Sequence, residues 1–180
     1  MDRAPGRSEV LFLGGRSGVG KSTAAGALHV LLAEHHVRHA VIEGDVLDLA
    51  WPAPHVEHPE ARLAERNLAV LWANHRALGQ HRLVFTNTVA VLEADRLAAA
   101  MGDEPVVTAV LLRATDDTAS ARLRRRSGGE DPGPQEDHSA RTARRLDSVT
   151  PDTVARVDTD GRSPRQVAEQ LAALVGWLPA

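Results

Sequence analysis

The chain has no cysteine and no tyrosine, and its aromatic residues amount to 3% of 180. Without thiols it can build neither a disulfide framework nor a thiolate metal site. No apolar run approaches membrane-spanning length, and the opening MDRAPGRSEV lacks the apolar core of a signal peptide, so the expectation is a soluble, cytoplasmic protein with no membrane partner. A net charge of −3 and a pI near 6.3 argue against a nucleic-acid partner. The length suits one domain over residues 1–180 and leaves little room for a second. Lysine is nearly absent too: of 21 basic residues only Lys21 is a lysine, and the rest are arginines.

That single lysine lies in Gly15-Arg16-Ser17-Gly18-Val19-Gly20-Lys21-Ser22, followed by Thr23, and fits the phosphate-loop pattern G-x-x-x-x-G-K-[ST] at every fixed position. A compact ammonium on a flexible stem reaches between phosphate oxygens where a planar guanidinium is too bulky. The context agrees with the letters, because residues 9–14 (EVLFLG) read as a short buried strand and Ser22 onward as a helix. Gly15, Gly18 and Gly20 let successive backbone N–H groups and the positive helix end surround a phosphate, and Ser22 offers a hydroxyl to Mg²⁺. The competing explanation is an accidental glycine turn.

Further along, apolar runs alternate with helical patterns in the β-α order of a parallel sheet covered on both faces. Strands are expected at 9–14, 38–43, 81–87, 105–112 and 153–158, and helices at 21–35, 59–79, 91–101, 116–126, 138–148 and 164–176. Ser163-Pro164 reads as cap and first position of the last helix. Such a three-layer α/β/α domain binds its ligands beyond the carboxyl ends of its strands. No internal repeat is visible. The stretch from Ser127 to Pro134 (SGGEDPGP) has almost no apolar content and is expected to be a mobile loop. Arginine-bearing segments flank it, ARLRRR at 121–126 and HSARTARR at 138–145. Phosphoryl transfer spreads negative charge over equatorial oxygens, and cations on a closing flap stabilise that charge while excluding water.

With these residues in place, the chain resembles the nucleoside and nucleotide kinase-like family of P-loop phosphotransferases, which includes adenylate, shikimate, gluconate and adenylyl-sulfate kinases and antibiotic phosphotransferases. The resemblance implies a P-loop NTPase fold with a five-stranded parallel sheet and an arginine-bearing lid over about 122–145. The family's lid begins Arg-apolar-x-x-Arg, which nominates Arg122 and Arg126. It ends on a helix with further arginines, which nominates Arg141 and, behind it, Arg144 or Arg145. The alternative is that these arginines form solvated helix faces paired with Glu136, Asp137 and Asp147.

Glu43-Gly44-Asp45 follows the second strand and puts a carboxylate at the ligand edge of the sheet. In the family an acid here binds the acceptor hydroxyl or acts as its base, so Asp45 is a candidate catalytic residue and, with Ser22, a candidate metal residue. Its alternative role is a helix N-cap. The third strand ends Phe85-Thr86-Asn87-Thr88, without the acid usual in this family at that place. Either Glu43 or Asp45 then supports Mg²⁺, or the three polar residues line the acceptor pocket; they are equally readable as turn-formers. Arg62 and Arg66, one turn apart, could grip an anionic acceptor or be surface arginines, Trp51 could stack on a planar substrate, and Trp72 reads as core. Asp158 to Pro164, including Gly161, matches the loop through which the family contacts adenine. The histidines at 35, 36, 39, 55 and 58 do not form a convincing metal set.

These readings imply a kinase that uses ATP and Mg²⁺ to phosphorylate a small-molecule acceptor through Lys21, Asp45 and the arginine lid. The alternative is a nucleotide-binding regulatory module of the same fold without phosphotransfer. A GTP switch is excluded because N-K-x-D needs a second lysine. An oligomeric AAA-type ATPase would need an apolar run ending in Asp-Glu, which the chain lacks.

Overall fold

Val10 and Phe12 point to one face of the first strand, Leu11 and Leu13 to the other, and all four are buried. A strand with two apolar faces belongs inside a sheet covered on both sides. The computed structural model, which describes residues 7–128 and 132–179, places it there. Five strands, β1 (Glu9–Gly14), β2 (Ala40–Glu43), β3 (Arg82–Thr86), β4 (Val106–Arg113) and β5 (Ala155–Asp158), form one parallel sheet in the order β2-β3-β1-β4-β5. Against the Leu11/Leu13 face pack α1 (Lys21–Glu34) and α7 (Pro164–Val175), which contribute Leu28, Leu32 and Leu171. On the Val10/Phe12 face lie α3 (Leu63–Ala77) and α4 (Ala94–Met101), with Leu68, Trp72 and Leu97. The chain is completed by α2 (Pro54–Glu57), α5 (Asp116–Arg126) and α6 (Gly133–Val149), the last supplying Leu146 to a smaller cluster with Leu111. The result is the three-layer α/β/α arrangement expected.

The first expected strand is present at its expected bounds, and the other four are shortened or shifted by a residue or two at their ends. Three helices differ more, and the one expected over 91–101 starts at Ala94. The helix expected over 59–79 begins only at Leu63, because Arg62 takes a left-handed conformation (φ 44°) that a continuous helix cannot contain; a 3-10 turn, Pro59–Ala61, precedes it. The helix expected over 138–148 starts at Gly133, inside the stretch expected to be a loop. Pro134 lies in its first turn, where the missing N–H has no intrahelical acceptor to lose. Residues 129–131 of that stretch, and 1–6 at the start, lie outside the described residues. The Ser163 cap is formed, with Gln166 returning its side chain to the Ser163 backbone. Trp72 is in the core as expected, whereas Trp51 is 94% exposed.

Gly44, between β2 and Asp45, sits hard against β3. A Cβ there would meet Phe85 Cζ at 2.3 Å and the Thr86 carbonyl at 2.9 Å. Phe85 cannot easily retreat, since it stacks edge-on against Phe12 with ring centroids 5.6 Å apart. Gly44→Ala is therefore expected to cost about 1–3 kcal/mol of stability by overpacking. Urea denaturation measures it, and an unchanged midpoint would show that the Asp45 turn can move away from β3.

Candidate active site

The phosphate loop leaves β1 and enters α1 through three glycines with positive φ: Gly15 at 142°, Gly18 at 81° and Gly20 at 103°. At Gly18 the requirement is steric as well, because a Cβ would lie 2.7 Å from the Ala119 carbonyl. No side chain caps α1, so its first-turn N–H groups are left to the loop, the arrangement that binds anions. Lys21 is buried; its Nζ donates to the Gly15 carbonyl at 2.9 Å and to Thr88 Oγ1 at 3.3 Å. Loss of hydration holds its pKa below the ordinary lysine value, and nearby Asp45 and Glu43 oppose that shift. Ser22 Oγ donates to Glu43 Oε2 at 3.1 Å. Of the two acids expected to support Mg²⁺, Glu43 is the one bonded to Ser22, since its exposed carboxylate at the end of β2 reaches α1 directly.

Asp45 faces the lysine instead. Its Oδ2 lies 3.8 Å from Lys21 Nζ, and its Oδ1 accepts a hydrogen bond from the Thr88 backbone N–H at 3.1 Å. Asp45 is not a helix N-cap: it lies within the 3-10 turn Gly44–Val46, whose N-cap position is Glu43. The end of β3 does two things at once. Asn87 Oδ1 accepts from Val89 N at 2.9 Å and builds a turn, while Asn87 and Thr88 also line a cavity. That cavity, about 830 Å³, opens from Asp45 toward α3 and α4 and includes Arg62 and Glu65 in its wall. Arg66 is exposed and stands outside it, so the two arginines do not converge. His138 of α6 lines it from the far side, although neither its spacing nor its neighbours mark it out in the sequence.

A second cavity of about 240 Å³ lies across the phosphate loop, with Gly20, Thr23, Arg122 and Thr159 in its wall. Arg122 is engaged here: Nη1 donates to the Val19 carbonyl at 2.8 Å and to Thr159 Oγ1 at 2.9 Å, and Nη2 to the Thr159 carbonyl at 3.1 Å. It ties the phosphate loop to the loop that follows β5. Asp160 holds that same loop to the start of α5 by accepting from Thr115 N at 3.0 Å and Thr115 Oγ1 at 2.8 Å. Burial works against the Asp160 carboxylate, but hydrogen bonds from Thr118 and Thr115 outweigh it and hold the pKa below the usual range. Gly161 follows with φ 64° and is not itself part of the cavity wall.

The Arg16 side chain is 3% exposed and turned inward. Nε donates to Ser139 Oγ at 2.8 Å and Nη1 pairs with Asp116, while Ser139 Oγ donates to the Ser17 carbonyl at 2.7 Å. The phosphate loop is thereby stitched to α5 and α6, and only the backbone of Arg16 remains available to a phosphate. Because Asp116 is 62% exposed, deleting its partner strands no buried charge. Arg16→Ala is expected to cost about 1–3 kcal/mol, the range for losing charged hydrogen bonds, as measured by denaturant unfolding. Arg126 lies near enough to Lys21 to depress its pKa further and shares a surface cleft with Ser17. Neither Arg126 nor Arg141 donates a side-chain hydrogen bond to any other described residue, whereas Arg124 grips Glu136 with two bonds of 2.8 and 3.0 Å. Solvated pairing therefore accounts for Arg124 and leaves the other two facing solvent.

A family model described as an AAA domain matches residues 11–144. A search of curated proteins finds no match. Among solved structures, the tunicamycin resistance protein of Deinococcus radiodurans is similar over 97% of this chain and 100% of that one, with 26% identity and a TM-score of 0.64. A gluconokinase from Sinorhizobium meliloti 1021 aligns over 97% of this chain and 94% of its own at 18% identity, TM-score 0.61. The APS kinase of Mycobacterium tuberculosis, solved in complex with AMPPNP and APS, aligns over 96% and 99% at 20% identity, TM-score 0.58. The last two show the shared fold, that of P-loop small-molecule kinases.

Proposed function

Since the chain belongs to the AAA domain family, whose model spans most of it, and has the fold of P-loop small-molecule kinases, we propose that it transfers the γ-phosphoryl group of ATP to the hydroxyl of a small-molecule acceptor. The observation that carries this reading is that Lys21, whose sequence neighbour Gly20 lines the smaller cavity, lies 3.8 Å from Asp45 in the wall of the larger one. In it the nucleoside occupies the 240 Å³ cavity beside Thr159 and Arg122, the phosphates lie over the loop N–H groups, and the acceptor fills the 830 Å³ cavity. A bimolecular reaction between two solutes needs two compartments meeting at one point, and a nucleotide-binding module needs only one.

Each residue then has a task. Lys21 exchanges its bond to the Gly15 carbonyl for phosphate oxygens and offsets charge developing in the transfer. Asp45 orients the acceptor hydroxyl and takes its proton as the oxygen–phosphorus bond forms. Arg126, exposed beside the loop, and Arg141 on α6 supply further positive charge to the transferring group; residues 129–131 of the expected lid lie outside the described residues. Ser22 and Glu43 present hard oxygen donors of the type Mg²⁺ prefers and would hold it, and it would supply positive charge to the phosphates there. The 26% identity to a tunicamycin resistance protein supports including a hydroxylated antibiotic among the acceptors. The test is ADP formation from ATP and Mg²⁺ with pooled nucleosides and nucleotides, sugar acids, adenylyl sulfate and hydroxylated antibiotics. Acceptor-dependent turnover that disappears in the Lys21 and Asp45 variants supports the reading; ATP binding with no acceptor effect leaves a nucleotide-binding module.

A further inference from the structure

The wall of the 830 Å³ cavity carries four carboxylates, Asp45, Asp48, Glu65 and Glu93, against two guanidiniums, Arg62 and Arg96. Lys21 offsets Asp45 from 3.8 Å away. Arg96 is spent within the wall, its Nε 3.1 Å from Glu65 and its Nη2 2.7 Å from Glu93. One arginine between two carboxylates leaves a negative remainder, and Asp48 adds to it. Only Arg62 has no acceptor for its side chain among the described residues. Glu65 is the deepest of these groups, 13% exposed, with Oε1 shut off from solvent and making no hydrogen bond of good geometry. A carboxylate in such a position repels an anion.

From this charge inventory we propose that the acceptor carries no carboxylate, sulfate or phosphate: it is an uncharged or cationic hydroxyl compound, and Glu65 and Glu93 enforce that choice. The inference rests on the phosphotransferase reading for the word acceptor, but the field of the cavity can be measured without it. A cavity lined by one sign of charge concentrates the opposite ion and excludes its own.

The chain has no native cysteine, so a single one can report that field. Ala64→Cys places a thiol in the cavity wall, and Ala99→Cys puts a reference on an exposed position of α4. Each is reacted with trimethylammonioethyl and sulfonatoethyl methanethiosulfonate under the same buffer conditions. The ratio of the two rates cancels the thiolate fraction of each cysteine. At position 64 the cationic reagent is expected to be favoured by about tenfold over the ratio at position 99, and by much less once Glu65→Gln and Glu93→Gln are added. Equal ratios at the two positions, or a preference for the sulfonate at position 64, overturn the proposal. The pooled turnover assay separates it from the reading it rests on. A carboxylate, sulfate or phosphate acceptor sinks this inference and leaves the kinase standing; no acceptor at all sinks the kinase and leaves the reagent ratio to decide the charge selectivity of the cavity.

Discussion

Lys21→Met is expected to reduce kcat/KM for ATP-dependent phosphoryl transfer on the order of 10²–10³-fold while leaving the fold intact. The ammonium is the one positive charge at the centre of the loop, with two carboxylates beyond it and no other lysine in the chain to replace it. The fold should tolerate its loss, because burial lowers the Lys21 pKa below the unfolded value and so makes the charged form a cost to folding at neutral pH. The sign follows from proton counting. Between the folded pKa and the unfolded value of 10.5 the unfolded chain binds more protons, so the cost is full below the folded pKa and fades as pH rises through that window. Methionine keeps the apolar stem and removes the cost. Urea unfolding should accordingly give a midpoint no lower than that of the parent, and steady-state ADP formation should be nearly lost. Retention of more than about a tenth of the activity would mean that the lysine does not contact the transferring phosphate.

Why this lysine could be read from the sequence, and other parts of the site could not, follows from how each residue acts. The phosphate loop works through backbone conformation, and its glycines are visible letters because no other residue tolerates φ of 81° or 103° there. The strands were visible for a similar reason: β1, β3 and the stretch Val110 to Leu112 of β4 are buried on both faces and leave apolar runs. Arg16 shows the limit. Its side chain points inward to Ser139 and Asp116, 123 and 100 residues away in sequence. Ser139 is a short polar residue on an otherwise ordinary helix and gives no sign of being buried. Similarly, the pattern Gly133-Pro134 suggests a loop by composition, yet proline in a first helical turn is compatible with helix, and the pairing of Glu136 with Arg124 ties the start of α6 to α5. Glu43 and Asp45 lie two residues apart at a strand end, and their division of labour was open until the backbone turn at Gly44 sent one to Ser22 and the other to Lys21.

Asp45→Asn is the sharper test of chemistry, because it changes one charge and spares the geometry. The asparagine Oδ1 can still accept from the Thr88 N–H, now at 3.1 Å, so the turn after β2 and the cavity wall should persist. What it cannot do is take a proton from an acceptor hydroxyl. If Asp45 is the base, kcat should fall by about 10²–10⁴-fold with the acceptor KM changed much less. Nucleotide affinity should hold within a few-fold, since Asp45 touches Lys21 only at 3.8 Å and the loop N–H groups are unaltered. Phosphoryl transfer has a loose transition state in which the attacking oxygen bonds weakly, so positioning can outweigh proton removal. The split between kcat and KM tells the two apart. An unchanged kcat with a raised acceptor KM would make Asp45 a binding residue, and the proton would then leave directly to solvent. A large kcat loss that Asp45→Glu partly restores would identify the carboxylate itself, since glutamate returns the proton acceptor on a longer stem while disturbing the Thr88 contact.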